Sequence, residues 1–158
     1  MYQRVKYIPL FLLLLTGVGS RHTTAQNGDV AVVVSARNPI ANLRASELRQ
    51  IFAGEKHTWS SGVVIRIFVR NPGTSERNAL LALLGMTEKD YGRYWAAQVF
   101  RGEAQSMPTA LPSNGMQREA VLLFPGAVAL VNMEELKPGM KVVKVDGRIP
   151  GQLGYALH

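Results

Sequence analysis

Residues 29–35 read DVAVVVS, an almost unbroken run of small and β-branched apolar side chains. A strand with one face in water alternates apolar and polar residues, whereas a parallel-sheet strand covered on both faces is apolar throughout. The run therefore predicts a core strand in a sheet that carries other structure on both of its faces. Residues 63–69, which read VVIRIFV, predict a second strand of this kind.

Helical spacing appears between these runs. Leu48, Ile51 and Phe52 recur at the spacing of one helix face and predict a short helix over residues 45–53. Residues 101–112 show no period and predict a loop. The other predicted elements are helices that begin after Thr74, Thr87 and Ser113 and strands over residues 127–131 and 141–145.

This alternation of strands with helices is typical of an α/β domain with a mixed, mostly parallel sheet and flanking helices. The chain has 158 residues, of which 47% are hydrophobic and 18% charged, which is enough apolar material for a core. Repeats, linkers and low-complexity tracts are absent from the sequence. We therefore expect one domain over residues 26–158.

The N-terminus has the plan of a secretory signal. Arg4 and Lys6 precede an apolar run over residues 8–18, and the small residues TTA at positions 23–25 suit cleavage by signal peptidase. The run is too short for the roughly 20 residues that a spanning helix needs. We therefore expect residues 1–25 to be removed, leaving a periplasmic or secreted protein with no stable membrane span.

The formal net charge of +7 would ordinarily suggest nucleic acid as a partner. Cleavage after Ala25 removes three of the 18 basic residues and none of the 11 acidic ones, so the net charge falls to +4. The remaining basic residues form neither a run nor a stripe interleaved with aromatic residues. We expect no nucleic-acid partner.

The sequence offers few residues that could serve in catalysis. Cysteine is absent, which excludes disulfides, thiolate metal sites and cysteine nucleophiles. The three histidines are scattered along the chain, and His57 reads as an exposed loop residue. Glu76, Glu88 and Asp90 lie at helix starts, where capping explains them. We expect no enzyme, no metal and no cofactor.

The strand over residues 63–69 enters a glycine-containing turn and then a helix. The first N–H groups of such a helix lack partners and its dipole is positive there, so an anion can bind. Gly73 allows close approach of the backbone, Thr74 and Ser75 carry hydroxyl groups, and Arg70 could supply a bidentate guanidinium. The alternative is that Thr74 or Ser75 only caps the helix and that Arg70 is solvated.

A second polar helix start could lie at the same edge of the sheet. Ser113, Asn114 and Gly115 open another predicted helix, and ligands of open α/β sheets bind at the carboxyl ends of strands. The alternative is a capped helix with no further role.

Three sequence blocks give the chain a family resemblance. They are SELRQIFAG followed by Trp59, IRIFVRNPGTSE over residues 65–76, and FPGAVALV over residues 124–131. In order and approximate spacing they resemble the blocks L…IF.G…W, R..GSGT and PGAIGYV of the substrate-binding proteins of ABC phosphate importers. The resemblance covers residues 30–146 and implies one lobe of the two-lobed, type II periplasmic-binding-protein fold.

The same resemblance implies a phosphate site. The R..GSGT block of the family falls on Arg70, Gly73, Thr74, Ser75 and Glu76. Arg70 and Gly73 are identical to the family pattern, and Thr74 keeps a hydroxyl group. Ser75 stands in place of a glycine and Glu76 in place of a threonine. The carboxylate of Glu76 could repel phosphate, or it could accept the proton of monohydrogen phosphate.

Two functions remain open at this point. The resemblance implies an extracytoplasmic solute-binding domain for phosphate or a related oxyanion, with an ABC importer or another envelope protein as its partner. One lobe supplies only one side of a binding cleft, so the alternative is a lobe that has lost tight anion binding and serves as a protein-interaction module in the cell envelope. An ion pair between Arg70 and Glu76 would favour the alternative, because it would fill the site internally.

Overall fold

The computed structural model describes residues 29–157. Its central strand is β1 (Val30–Ser35), in which all six residues are buried. The other strands are β2 (Asn42–Leu43), β3 (Arg66–Arg70), β4 (Thr109–Leu111), β5 (Ala127–Asn132) and β6 (Met140–Val145). The helices are α1 (Ala45–Phe52), α2 (Ser75–Leu84), α3 (Glu88–Phe100) and α4 (Asn114–Leu123), and a 3₁₀ turn covers Met133–Glu135.

The strands form one sheet in the order β2-β6-β1-β5-β3-β4. The pairings of β2 with β6, of β3 with β5 and of β3 with β4 are parallel, which confirms the mixed, mostly parallel sheet. β1 differs from expectation, because it is antiparallel to both of its neighbours, β5 and β6. Its apolar sequence reflects burial on both faces, which the helices supply whatever the direction of the neighbouring strands.

Alternate residues of β1 enter two separate cores. Val30, Val32 and Val34 pack with side chains of α1, α2 and α3, whereas Ala31 and Val33 pack with side chains of α4. The sheet is therefore the middle of three layers, as the prediction of flanking helices requires. Burial of each valine stabilises the fold by about 1.5–3 kcal/mol.

The predicted helix starts are confirmed by their caps. Thr74 and Ser113 each accept a hydrogen bond from the backbone N–H three residues further on. Thr87 and Asp90 form a full capping box at the start of α3. α2 ends at Gly85, whose φ of 67° is in the left-handed region that glycine adopts without strain.

Two short strands and the C-terminal tail were not predicted. β4 lies inside residues 101–112, which were wrongly predicted to be a loop, because three residues between two prolines are too few to show a period. β2, with two residues, is shorter still. The tail places Tyr155 and Leu157, each 1% exposed, in the core formed with α1, α2 and α3.

β3 begins three residues later than the sequence predicted. Val63 and Val64 are 40% and 62% exposed, and Val64 forms an isolated antiparallel bridge with Thr58 instead of joining the sheet. Gly126 lies against this segment: a Cβ at Gly126 would come within 1.8 Å of the Val64 carbonyl oxygen. A glycine is therefore required where the FPGAVALV block passes this segment.

No helix within residues 29–157 has the length and apolar character needed to cross a membrane. The predicted signal peptide, residues 1–25, lies outside the described residues. Its cleavage stays a prediction.

Candidate functional site

Three parallel strands end at one edge of the sheet. β3 ends at Arg70, β4 at Leu111 and β5 at Asn132, and Arg70 and Leu111 are direct partners in the sheet. α2 and α4 begin a few residues after β3 and β4, so two helix N-termini follow adjacent strand ends. An edge of this kind, where strand ends meet helix starts, is where open α/β sheets bind ligands.

The guanidinium of Arg70 is hydrogen-bonded to the neighbouring strand at this edge, but only through part of its donors. Its Nη1 donates to the carbonyl oxygen of Leu111 at 3.0 Å. Its Nε is buried and has no hydrogen-bond partner among residues 29–157. In that part of the chain Arg70 forms no ion pair with Glu76. The site is therefore not filled internally by the pair that would have favoured the alternative function.

The turn after β3 depends on Gly73 and Thr74. Gly73 has a φ of 87°, which favours glycine, and a Cβ there would meet no atom within 4 Å. The Thr74 hydroxyl donates to the carbonyl oxygen of Asn71 at 3.0 Å and accepts from the N–H of Arg77 at 3.2 Å. Its proton is thus directed at the turn and its oxygen caps α2.

Ser75 and Glu76 are tied to the end of β5. The Ser75 hydroxyl donates to Glu76 Oε2 at 3.2 Å, and Glu76 Oε1 accepts from the backbone N–H of Asn132 at 3.4 Å. The side-chain amide of Asn132 donates to the Ser75 hydroxyl oxygen at 3.4 Å. Glu76 is 5% exposed, so its carboxylate is a buried link between α2 and β5.

The groups left for a ligand are therefore backbone N–H groups and part of Arg70. Ser75 and Glu76 are the first two residues of α2, and helix geometry gives their N–H groups no partner within the helix. The partial positive charge of the helix N-terminus lies at the same place. This arrangement can bind an anion, although the neighbouring carboxylate of Glu76 opposes it.

Ser113, Asn114 and Gly115 follow the end of β4, as predicted. The Ser113 hydroxyl oxygen caps α4. Asn114 Oδ1 is buried without a hydrogen-bond partner in the described part of the chain. Asn132 was not singled out from the sequence, and its one signal is a polar residue at the end of the apolar run AVALVN.

Comparison with known proteins bears on the fold. No protein-family model matches the sequence, and no curated protein matches it either. Among solved structures it is similar to an ABC-type phosphate transport receptor from Vibrio cholerae, with a TM-score of 0.63 and 19% identity over 78% of this chain and 48% of that one. The chain has a periplasmic-binding-protein fold.

Two other solved structures agree with this assignment. PstS from Borrelia burgdorferi matches with a TM-score of 0.57 and 17% identity, over 78% of this chain and 49% of that one. A phosphate-binding protein from Stenotrophomonas maltophilia matches with a TM-score of 0.55 and 19% identity, over 78% of this chain and 40% of that one. The chain thus spans about half the length of the proteins from Vibrio cholerae and Borrelia burgdorferi. This length agrees with the prediction of a single lobe.

Within this binding-protein fold, an ion pair that was not predicted, between the buried Arg77 and the exposed Glu88, fixes the start of α2. Arg77, 5% exposed, donates to the two carboxylate oxygens of Glu88 at 2.6 and 3.0 Å, and its guanidinium carbon lies 4.0 Å from the centre of the Tyr91 ring. The hydrogen bond from Arg77 lowers the pKa of Glu88, and burial raises the pKa of Tyr91. Arg77 is therefore occupied and is not a ligand contact.

Residues 29–157 contain no group of three or more histidine, aspartate or glutamate residues that could hold a metal ion. His57 is exposed, as the sequence predicted for a loop residue.

Proposed function

We propose that this protein is an extracytoplasmic solute-binding protein that binds phosphate or a related oxyanion beside Arg70, Gly73 and Thr74. Ser75 and Glu76 contribute their backbone N–H groups. The names of the solved relatives describe phosphate transport and phosphate binding, which supports a binding role without catalysis. An ABC importer or another envelope protein is the proposed partner.

The observation that carries this proposal is the guanidinium of Arg70. A buried donor without a partner costs free energy, about 1–3 kcal/mol for a typical group, so such donors are rare unless a ligand satisfies them. Within residues 29–157, Arg70 Nε is in this state, as are the side-chain donors of Asn38, Tyr91 and Trp95. What distinguishes Arg70 is that it lies at the strand end that precedes α2. An oxyanion at this point would accept from Arg70 and from the first N–H groups of α2 together.

Binding to this single lobe should be weak. A ligand held at one sheet edge keeps water on its other side, and its charge is screened accordingly. The buried carboxylate of Glu76 adds repulsion. We therefore propose millimolar rather than tight binding by the isolated chain, and tighter binding where a partner covers the edge.

The proposed location follows from the N-terminal sequence. Residues 1–25 are proposed to direct export and to be cleaved, and residues 26–158 to form the mature binding-protein domain in the periplasm or outside the cell. Mass spectrometry of the exported protein tests this directly, because cleavage at the proposed position gives an N-terminus at Gln26.

A thermal melt with phosphate and with sulfate, at matched ionic strength, tests the binding proposal. A ligand that binds the folded state alone adds RT ln(1 + [L]/Kd) to the stability, so phosphate should raise the Tm of the wild type. Arg70→Ala should lose this increase. Arg118→Ala, at an exposed position on α4, should keep it. An equal increase in all three proteins would contradict a site at Arg70.

The second candidate function is an interaction module that has lost anion capture. The observation in its favour is that the side chains of Thr74, Ser75 and Glu76 are all engaged within the fold. If phosphate leaves the Tm of the wild type unchanged at every accessible concentration, this second function is the better one.

A further inference from the structure

A cleft lies at the opposite end of β3 from Arg70. It has a volume of about 790 Å³ and lies where β3 extends past the start of β4. β4 begins at Thr109, opposite Phe68, so Arg66 and Ile67 have sheet partners in β5 alone. The short edge strand therefore leaves a concave space beside the first residues of β3, with a volume in the range of small-molecule sites.

One part of the cleft lining is apolar and open to water, and it lies beside polar and charged residues. Phe68 and Phe124 stack with ring centres 5.7 Å apart and an interplanar angle of 23°. Val64 and Met107, which also line the cleft, are 62% and 44% exposed. An apolar group placed against these side chains would remove apolar surface from water on both sides. The cleft thus favours a ligand with an apolar body.

Among the charged residues that line the cleft, Arg66 is not paired with a carboxylate of the described residues. Lys56 pairs with a glutamate of α1, and the carboxylate of Glu103 accepts from Arg101 at 2.9 and 3.0 Å. Arg66 lies with its guanidinium carbon 4.5 Å from the centre of the Phe124 ring and forms no ion pair within residues 29–157. The cation is held over the aromatic face, where its donors can reach a ligand oxygen.

We propose that this cleft binds a small molecule that carries a carboxylate on an apolar body. The carboxylate pairs with Arg66, and the apolar body covers Phe124, Val64 and Met107. His57 also lines the cleft. This site is separate from the proposed anion site at Arg70 and does not depend on it.

Octanoate tests the proposal, with 1-octanol as its uncharged counterpart. Titration calorimetry on the purified full chain should show octanoate binding to the wild type. In Arg66→Gln the affinity for octanoate should fall about fivefold, as expected for a partly exposed charge pair, whereas the affinity for 1-octanol should stay the same. Val64→Ser should weaken binding of both ligands, because it removes apolar lining that they share. Both positions are exposed, so the variants should fold as the wild type does.

Two control variants locate the carboxylate. Arg70→Gln, at the other end of β3, and Arg118→Gln, on the exposed face of α4, should bind octanoate as the wild type does. The proposal is overturned if octanoate does not bind the wild type, or if Arg66→Gln binds it unchanged. A loss of affinity in Arg70→Gln as large as that in Arg66→Gln also overturns it, since the carboxylate would then bind at the anion site.

Discussion

Two side chains near the start of α2 decide how well the proposed site could bind phosphate. Arg70 forms no ion pair within the described residues, and its buried Nε has no hydrogen-bond partner there. Glu76, in contrast, replaces a hydroxyl donor of the family pattern with a buried negative charge, which Ser75 and the backbone of Asn132 hold in place. In the proposed site, attraction by Arg70 and repulsion by Glu76 would therefore set the affinity for phosphate.

Glu76→Gln separates the two roles that the sequence leaves open for this carboxylate. The glutamine oxygen can still accept from the backbone N–H of Asn132, and its amide N–H can donate to the Ser75 hydroxyl oxygen. The link between α2 and β5 is thus kept while the charge is removed. We expect phosphate to bind at least about threefold more tightly, because a repulsive charge near the ligand is gone. Titration calorimetry measures the change, and Glu119→Gln, exposed on α4, should leave the affinity unchanged. Weaker binding in Glu76→Gln would show instead that Glu76 accepts the proton of the ligand.

Packing between α2 and α3 holds the proposed site in shape. The backbone N–H of Arg77 is capped by Thr74, while its guanidinium forms the bidentate pair with Glu88 on α3. The first turn of α2 is thus fixed both to the turn after β3 and to the neighbouring helix. A change in this ion pair should alter stability first and the phosphate site second.

Glu88→Gln should lower the free energy of unfolding by about 1–2 kcal/mol at pH 7, because it leaves the buried Arg77 without its carboxylate. The pKa of Glu88 is lowered in the folded state, so the pair stabilises the fold above the pKa of the unfolded chain and loses this effect as the pH falls through the folded-state value. The difference in the free energy of unfolding between the wild type and Glu88→Gln should therefore become smaller below about pH 4. Urea unfolding at pH 7 and pH 3.5 measures it, and a pH-independent difference would contradict the ion-pair explanation.

Elements with a period or a cap could be predicted from the sequence, and elements without either could not. Thr74, Thr87 and Ser113 gave correct helix starts because capping is a local hydrogen bond between residues three apart. β4 and β2 have three and two residues, so their pairing is decided by tertiary contacts and leaves no mark on local sequence. The antiparallel pairing of β1 was missed for a similar reason, since burial does not encode strand direction.

The C-terminal tail stabilises the molecule as a whole, although no sequence pattern predicted that it would be buried. Tyr155 is 1% exposed and its hydroxyl donates to the carbonyl oxygen of Val30 at 2.9 Å, which joins the C-terminal tail to the first core strand. Leu157 enters the same core. The tail therefore closes the side of the fold on which α1, α2 and α3 lie.

Tyr155→Phe should lower the free energy of unfolding by about 1 kcal/mol at neutral pH, since it removes one buried hydrogen bond. Burial raises the pKa of Tyr155 to about 12, so its neutral form stabilises the folded state fully below the ordinary tyrosine pKa of about 10. This contribution is lost as the pH rises from about 10 to 12. Chemical unfolding at pH 8 and pH 11.5 measures the free energy of unfolding of both proteins. The stability advantage of the wild type over Tyr155→Phe should be smaller at pH 11.5. An advantage that is the same at both pH values would contradict a role for the titration of Tyr155.

The candidate site was only partly predictable. The turn from Arg70 to Ser75 carries its own signature, a strand end, a glycine and a cap, and the structure places these residues together at the sheet edge. Asn132 and Glu88 lie elsewhere along the chain, and only the fold brings them to the first turn of α2. Whether a hydroxyl faces a ligand or the protein is likewise set by three-dimensional contacts that sequence spacing does not encode.

Phosphate titration followed by ¹⁵N nuclear magnetic resonance tests most directly whether the start of α2 and Arg70 form an anion site. The amide signals of Ser75 and Glu76 and the Nε signal of Arg70 should shift more than others, and more with phosphate than with sulfate at matched ionic strength. In Arg70→Ala the amide shifts should be lost. Shifts that are absent at these residues, or equal across exposed amides of the domain, would contradict the proposed phosphate site.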